Sequence, residues 1–93
     1  MATRIQIPTA LRPFTGSQAS VEIEGRTVGE LLANLAARHG ELRRHLFDDS
    51  GALRSFVNVY VNDEDFRWLQ RESTPVGEHD VVSIVPSIAG GRP

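Results

Sequence analysis

Val81-Val82-Ser83-Ile84-Val85-Pro86-Ser87-Ile88-Ala89-Gly90-Gly91 is the stretch that decides the fold. Its first five residues are almost continuously apolar, as expected of a strand covered on both faces in the middle of a sheet. Pro86 stops the strand, because its nitrogen carries no hydrogen to donate. The residues after it have nothing to fold with and read as a mobile tail. The chain therefore divides into a folded unit over residues 1–88 and a tail over residues 89–93.

A central last strand needs partners, and the preceding sequence supplies them. Phe56-Val57-Asn58-Val59-Tyr60-Val61 alternates, with the three valines on one face and Phe56, Asn58 and Tyr60 on the other. Asn62-Asp63-Glu64-Asp65 reads as a turn, and Phe66-Arg67-Trp68 as a short return strand. Towards the N-terminus, Arg4-Ile5-Gln6-Ile7-Pro8 and Ser20-Val21-Glu22-Ile23-Glu24 also alternate with period two. Joined through a loop at Leu11-Arg12-Pro13-Phe14-Thr15-Gly16, they form a hairpin. Between hairpin and later strands, Thr27-Val28-Gly29-Glu30 has the capping-box form, a hydroxyl at the N-cap and a carboxylate three residues on. Val28, Leu31, Leu32 and Leu35 then recur at helical spacing as one apolar stripe. Gly40 is placed to follow the helix end, and Leu42 with Leu46 marks another short helical turn. One amphipathic helix laid across a mixed sheet is the two-layer solution for this element order, an α+β chain of β-grasp (ubiquitin-like) form.

Bulk properties exclude several functions. Ninety-three residues make one domain, with no room for a large catalytic cleft. A net charge of -2 argues against a dedicated nucleic-acid binder, which needs surplus Lys and Arg to displace counterions. The absence of cysteine excludes disulfides, a Cys-ligated zinc and a thiol nucleophile. No apolar run approaches a membrane span and the N-terminus has no signal-peptide form, so a cytoplasmic protein without membrane partners is expected.

Candidate chemical groups are few. His39 and His45 are six apart, on different sides of any helix, and His79 sits in a polar loop. All three read as solvent-exposed, and no metal site is expected. The acidic run at residues 62–65 lacks the spacing of a calcium loop. Arg38, Arg43 and Arg44 read as a helix-end charge face. No phosphate-binding glycine loop or nucleophile elbow is present.

Gly90-Gly91 stands apart. Two residues without Cβ atoms can extend through a channel too narrow for any other residue. A carrier whose C-terminal carboxylate must reach a partner's buried site requires that property; the alternative is inert tail filler. The pieces Ile7-Pro8-Thr9-Ala10-Leu11-Arg12-Pro13, residues 56–65 and residues 82–91 together resemble the MoaD/ThiS family of sulfur carrier proteins, in particular its cysteine-biosynthesis branch. They span essentially the whole chain in order.

The resemblance implies a carrier, not an enzyme, that is monomeric when free and binds no cofactor of its own. It implies activation by a MoeB/ThiF-like, E1-type adenylating enzyme that uses ATP, and a thiocarboxylate on Gly91. Ala89 and Gly90 would thread the partner's channel. The implied acceptor is a biosynthetic enzyme such as a PLP-dependent cysteine synthase, and a JAMM-type metalloprotease belongs to the same system. Family members ready for activation end at the diglycine, whereas here Arg92-Pro93 follows, so the bond between Gly91 and Arg92 is an expected processing site. Val85 and Ile88, beside the tail, are the nominated partner-binding surface, with Leu11 and Phe14 added from the first loop; Leu11 and Phe14 could instead close the core. A ubiquitin-like protein modifier conjugated through Gly91, and an interaction module with an inert tail, are the competing classes.

Overall fold

The computed structural model describes residues 2–55 and 57–86. Five strands form one mixed sheet: β1 (Ala2–Gln6), β2 (Ser20–Glu24), β3 (Val57–Val61), β4 (Glu64–Asp65) and β5 (Val81–Pro86), in the order β2-β1-β5-β3-β4. The last strand is central, parallel to β1 and antiparallel to β3, with Ile5 beside Val82 and Val59 beside Ile84. The main helix, α1 (Val28–Arg38), supplies Val28, Leu31, Leu32, Leu35 and Ala36 to the core. Against these lie Ile5 and Ile7, Val21 and Ile23, Val57, Val59 and Val61, and Val82 and Ile84, all buried. A short helix, α2 (Arg43–Leu46), follows a 3-10 turn at Gly40–Leu42 and seals one end with Leu42 and Leu46, both fully buried. The mixed β-grasp sheet with its helix layer is the expected architecture.

Local chemistry explains the start of α1. Thr27 is extended at φ -133°, and its hydroxyl accepts the Glu30 N–H at 3.2 Å. The Glu30 carboxylate accepts the Arg26 N–H at 2.9 Å, one residue earlier than a capping box would have it. His39 closes the helix, its N–H donating to Leu35. Gly40 follows, but it is not among the residues with positive φ, so its role is not the left-handed one its position suggested.

Four expectations are corrected. Residues 11–16 are not an open loop: Thr9–Thr15 forms a 3-10 helix, ended by Gly16 at φ 65°. The return strand is β4, and Phe66–Trp68 is a 3-10 turn. Asn62 and Asp63 both take positive φ, 52° and 71°, the pair of left-handed residues a tight hairpin needs, so pairing resumes at once. The Asp65 carboxylate then accepts the Arg67 N–H at 2.9 Å and turns the chain off the sheet. β5 is covered on one face only: Val82 and Ile84 are buried, but Val85 is 43% exposed, because the fold has a single helical layer. Finally, His45 is half-buried, its ring stacked on Phe14 with centroids 4.3 Å apart, and its Nε2 is shielded from solvent.

Candidate functional site

The site is the exit of β5. Being central, this strand is held by β1 as far as Ser83 on one side and by β3 as far as Pro86, which pairs with Val57, on the other. Ile88, Ala89, Gly90, Gly91 and Arg92 lie outside the described residues, as does the boundary drawn at residue 88.

Of the nominated surface, Val85 presents its side chain to solvent beside this exit. Leu11 does not: at 6% exposure it belongs to the core, carried inward by the 3-10 turn, and it offers no surface to a partner. Phe14 is half-buried against the same core and stacked on His45. The sequence reading had left open whether Leu11 and Phe14 close the core, and for Leu11 burial decides that question.

The reading overlooked Arg4 and Arg12, which line a groove beside Val85 together with Gln6 and Ser83. The signal was available, since Arg4 and Gln6 are the outward positions of an alternating strand. Ser83 donates to the Gln6 side chain at 3.1 Å, tying β5 to β1 across this face.

Perturbed ionisations lie elsewhere and have structural causes. Asp65 is held below its ordinary 3.8, chiefly by the Arg67 guanidinium, whose nearest nitrogen is 2.7 Å away, and then by the Arg67 N–H. Asp48 is lowered by the Ser50 hydroxyl and the Ala52 N–H of its own turn. Both carboxylates serve local turns, Asp48 accepting from Ser50 and Ala52 and Asp65 from Arg67. Among the described residues no group of three or more His, Asp or Glu side chains could hold a metal ion. No helix there is long and apolar enough to cross a membrane.

The family model that matches is that of the ThiS family, over residues 5–91, which takes in both glycines of the pair. Sulfur carrier protein CysO of Mycobacterium tuberculosis is 43% identical over 93 residues, covering 98% of this chain and 100% of that protein. Small archaeal modifier protein 3 of Haloferax volcanii is 35% identical over 65 residues, 70% of each chain. Among solved structures, the BexX/CysO complex of Amycolatopsis orientalis contains a chain that superimposes with a TM-score of 0.85 at 40% identity, covering 97% of this chain and 100% of that one. With its five-stranded β-grasp sheet and a match from the first strand through Gly91, this chain belongs to the ThiS family.

Proposed function

We propose that this chain is a sulfur carrier of the CysO type that works through Gly91. The single observation carrying this reading is that the family match runs through the folded domain and ends on the second glycine. In the proposed cycle the Gly91 carboxylate attacks the α-phosphate of ATP on an E1-type adenylating enzyme, releasing pyrophosphate and leaving an acyl adenylate. A hydrosulfide ion then attacks the acyl carbon, AMP departs, and the thioacid loses its proton to leave a thiocarboxylate. The domain supplies no catalytic group to these steps. It supplies a root for the tail in β5, paired with β3 as far as Pro86, and a surface for the enzyme to hold.

Gly91 is followed by Arg92, so its carbonyl is tied up in an amide. We assign the removal of Arg92-Pro93 to a JAMM-type metalloprotease. Sulfur transfer from the thiocarboxylate we assign to a biosynthetic acceptor enzyme, a PLP-dependent cysteine synthase or one serving another sulfur-containing metabolite. The similarity to an archaeal modifier protein favours a second reading, conjugation of Gly91 to lysines of other proteins. Mass spectrometry of the chain isolated from its own cells separates the two. A terminal oxygen replaced by sulfur is the expected result; Gly91 found only in isopeptide adducts would overturn the carrier reading in favour of the modifier.

A further inference from the structure

On the sheet face opposite α1, a groove of about 510 Å³ opens where β1 and β5 end and the first 3-10 helix begins. Its lining holds two arginines, Arg4 and Arg12, and no carboxylate. The chain as a whole has 12 acidic residues against 10 Lys and Arg, so this patch runs against the net charge. Glu22 stands across from Arg4 in the β1–β2 register. Even so, the ion pairs among the described residues are Arg67–Asp65 and His79–Glu78, and neither groove arginine takes part in one. Arg12 is also oriented: its Nε donates to the Ile7 carbonyl at 3.1 Å, and its terminal nitrogens have no partner among the described residues. Next to these cations sits Val85, one of the two large hydrophobic side chains exposed among the described residues.

Two guanidinium groups that form no ion pair among the described residues, beside an exposed aliphatic side chain, fit one kind of occupant. Guanidinium groups select carboxylates by paired hydrogen bonds, and an apolar contact at the centre of a charged rim anchors such a segment. We propose that this groove docks an acidic protein segment bearing an aliphatic side chain, with its carboxylates on Arg4 and Arg12 and its aliphatic group on Val85. The groove adjoins the β5 exit, so the segment belongs to the partner that takes up Gly91; that identity rests on the carrier reading. The contacts are exposed, which makes the docking strongly salt-dependent. Two arginines without an aromatic platform do not make a nucleic-acid track.

The test uses the full chain, labelled with nitrogen-15 and titrated with three probes at low salt. They are the peptide Glu-Asp-Leu-Glu-Asp, its neutral counterpart Gln-Asn-Leu-Gln-Asn, and a short oligothymidylate. The acidic peptide should shift the amides around Arg4, Gln6, Arg12, Ser83 and Val85, the neutral peptide should shift none, and added salt should abolish the effect. Arg4→Gln with Arg12→Gln should weaken binding by roughly fivefold or more, and Val85→Asp should weaken it as well. Should the double variant fail to fold through loss of the Arg12–Ile7 bond, Arg4→Gln alone decides, because that exposed side chain holds nothing in place. Equal shifts from both peptides, shifts elsewhere on the surface, or equally tight binding of the oligonucleotide would overturn the proposal. With the adenylating enzyme, the arginine variants made in the chain ending at Gly91 should raise KM for the carrier and leave kcat unchanged. If the chain ending at Gly91, with both arginines in place, is never thiocarboxylated, the carrier reading fails, while the peptide titration still decides the groove.

Discussion

Leu35 is fully buried at the third turn of α1, facing the sheet. Truncating it removes the apolar contacts and leaves a cavity, so Leu35→Ala should lower stability by about 2–5 kcal/mol. Chemical denaturation measures this directly, and an unchanged midpoint would mean that the stripe does not face the core. Asp65 is a different kind of residue, a carboxylate whose value lies in its charge. Its pKa is lowered in the folded chain by Arg67, so its contribution is fully present above the ordinary value of 3.8. That contribution is lost as pH falls through the lower folded value. Asp48 acts in the same direction. Asp65→Asn should therefore flatten, without abolishing, the fall in stability below that pH; an unchanged slope would mean that Arg67 does not stabilise the charged form. The apolar stripe was readable from spacing, because a helix turns a fixed angle per residue. The Asp65–Arg67 clasp was not, since it depends on where a two-residue strand stops.

At the scale of elements, β2 is an edge strand, paired only with β1. Edges of this kind present unpaired carbonyls to other chains. Here α1 covers two of them: the Asn34 side chain donates to Glu24 at 2.6 Å and Arg38 to Glu22 at 3.3 Å. Replacing both by alanine should leave the fold intact by circular dichroism but raise self-association in light scattering at high concentration. Continued monomeric behaviour would show that the two caps do not guard the edge. Elements with strong periodicity were legible: the hairpin strands, α1 and β3 stand close to where their patterns put them. The segment after Pro8 was not, because Pro13 and Gly16 read as breakers. A short 3-10 helix tolerates both, with Pro13 in its interior and Gly16 at its end. An open loop there leaves Leu11 as either a surface or a core residue, and the 3-10 turn carries it into the core. The run at Val81–Val85 correctly signalled a central strand, but pairing on both sides made it central, and cover on both faces did not follow.

For the whole molecule, the arrangement separates two jobs. Helix and inner sheet face make the core, while the outer face and the β5 exit stay open to a partner. The diglycine stands out in the sequence as the proposed working end because it follows a central strand in a chain without cysteine or a patterned catalytic group. Of the arginine groove only the outward position of Arg4 could be read from alternation; its meeting with Arg12, eight positions on, depends on the register of β1 and the turn after it. The central claim is that Gly91 carries the sulfur and must first be freed from Arg92. Two purified proteins test it, one ending at Pro93 and one at Gly91, each incubated with the adenylating enzyme, ATP and sulfide and weighed intact by mass spectrometry. The account predicts a C-terminal thiocarboxylate on the shorter protein alone. Thiocarboxylate forming on both at similar rates, with Arg92-Pro93 retained, would contradict it.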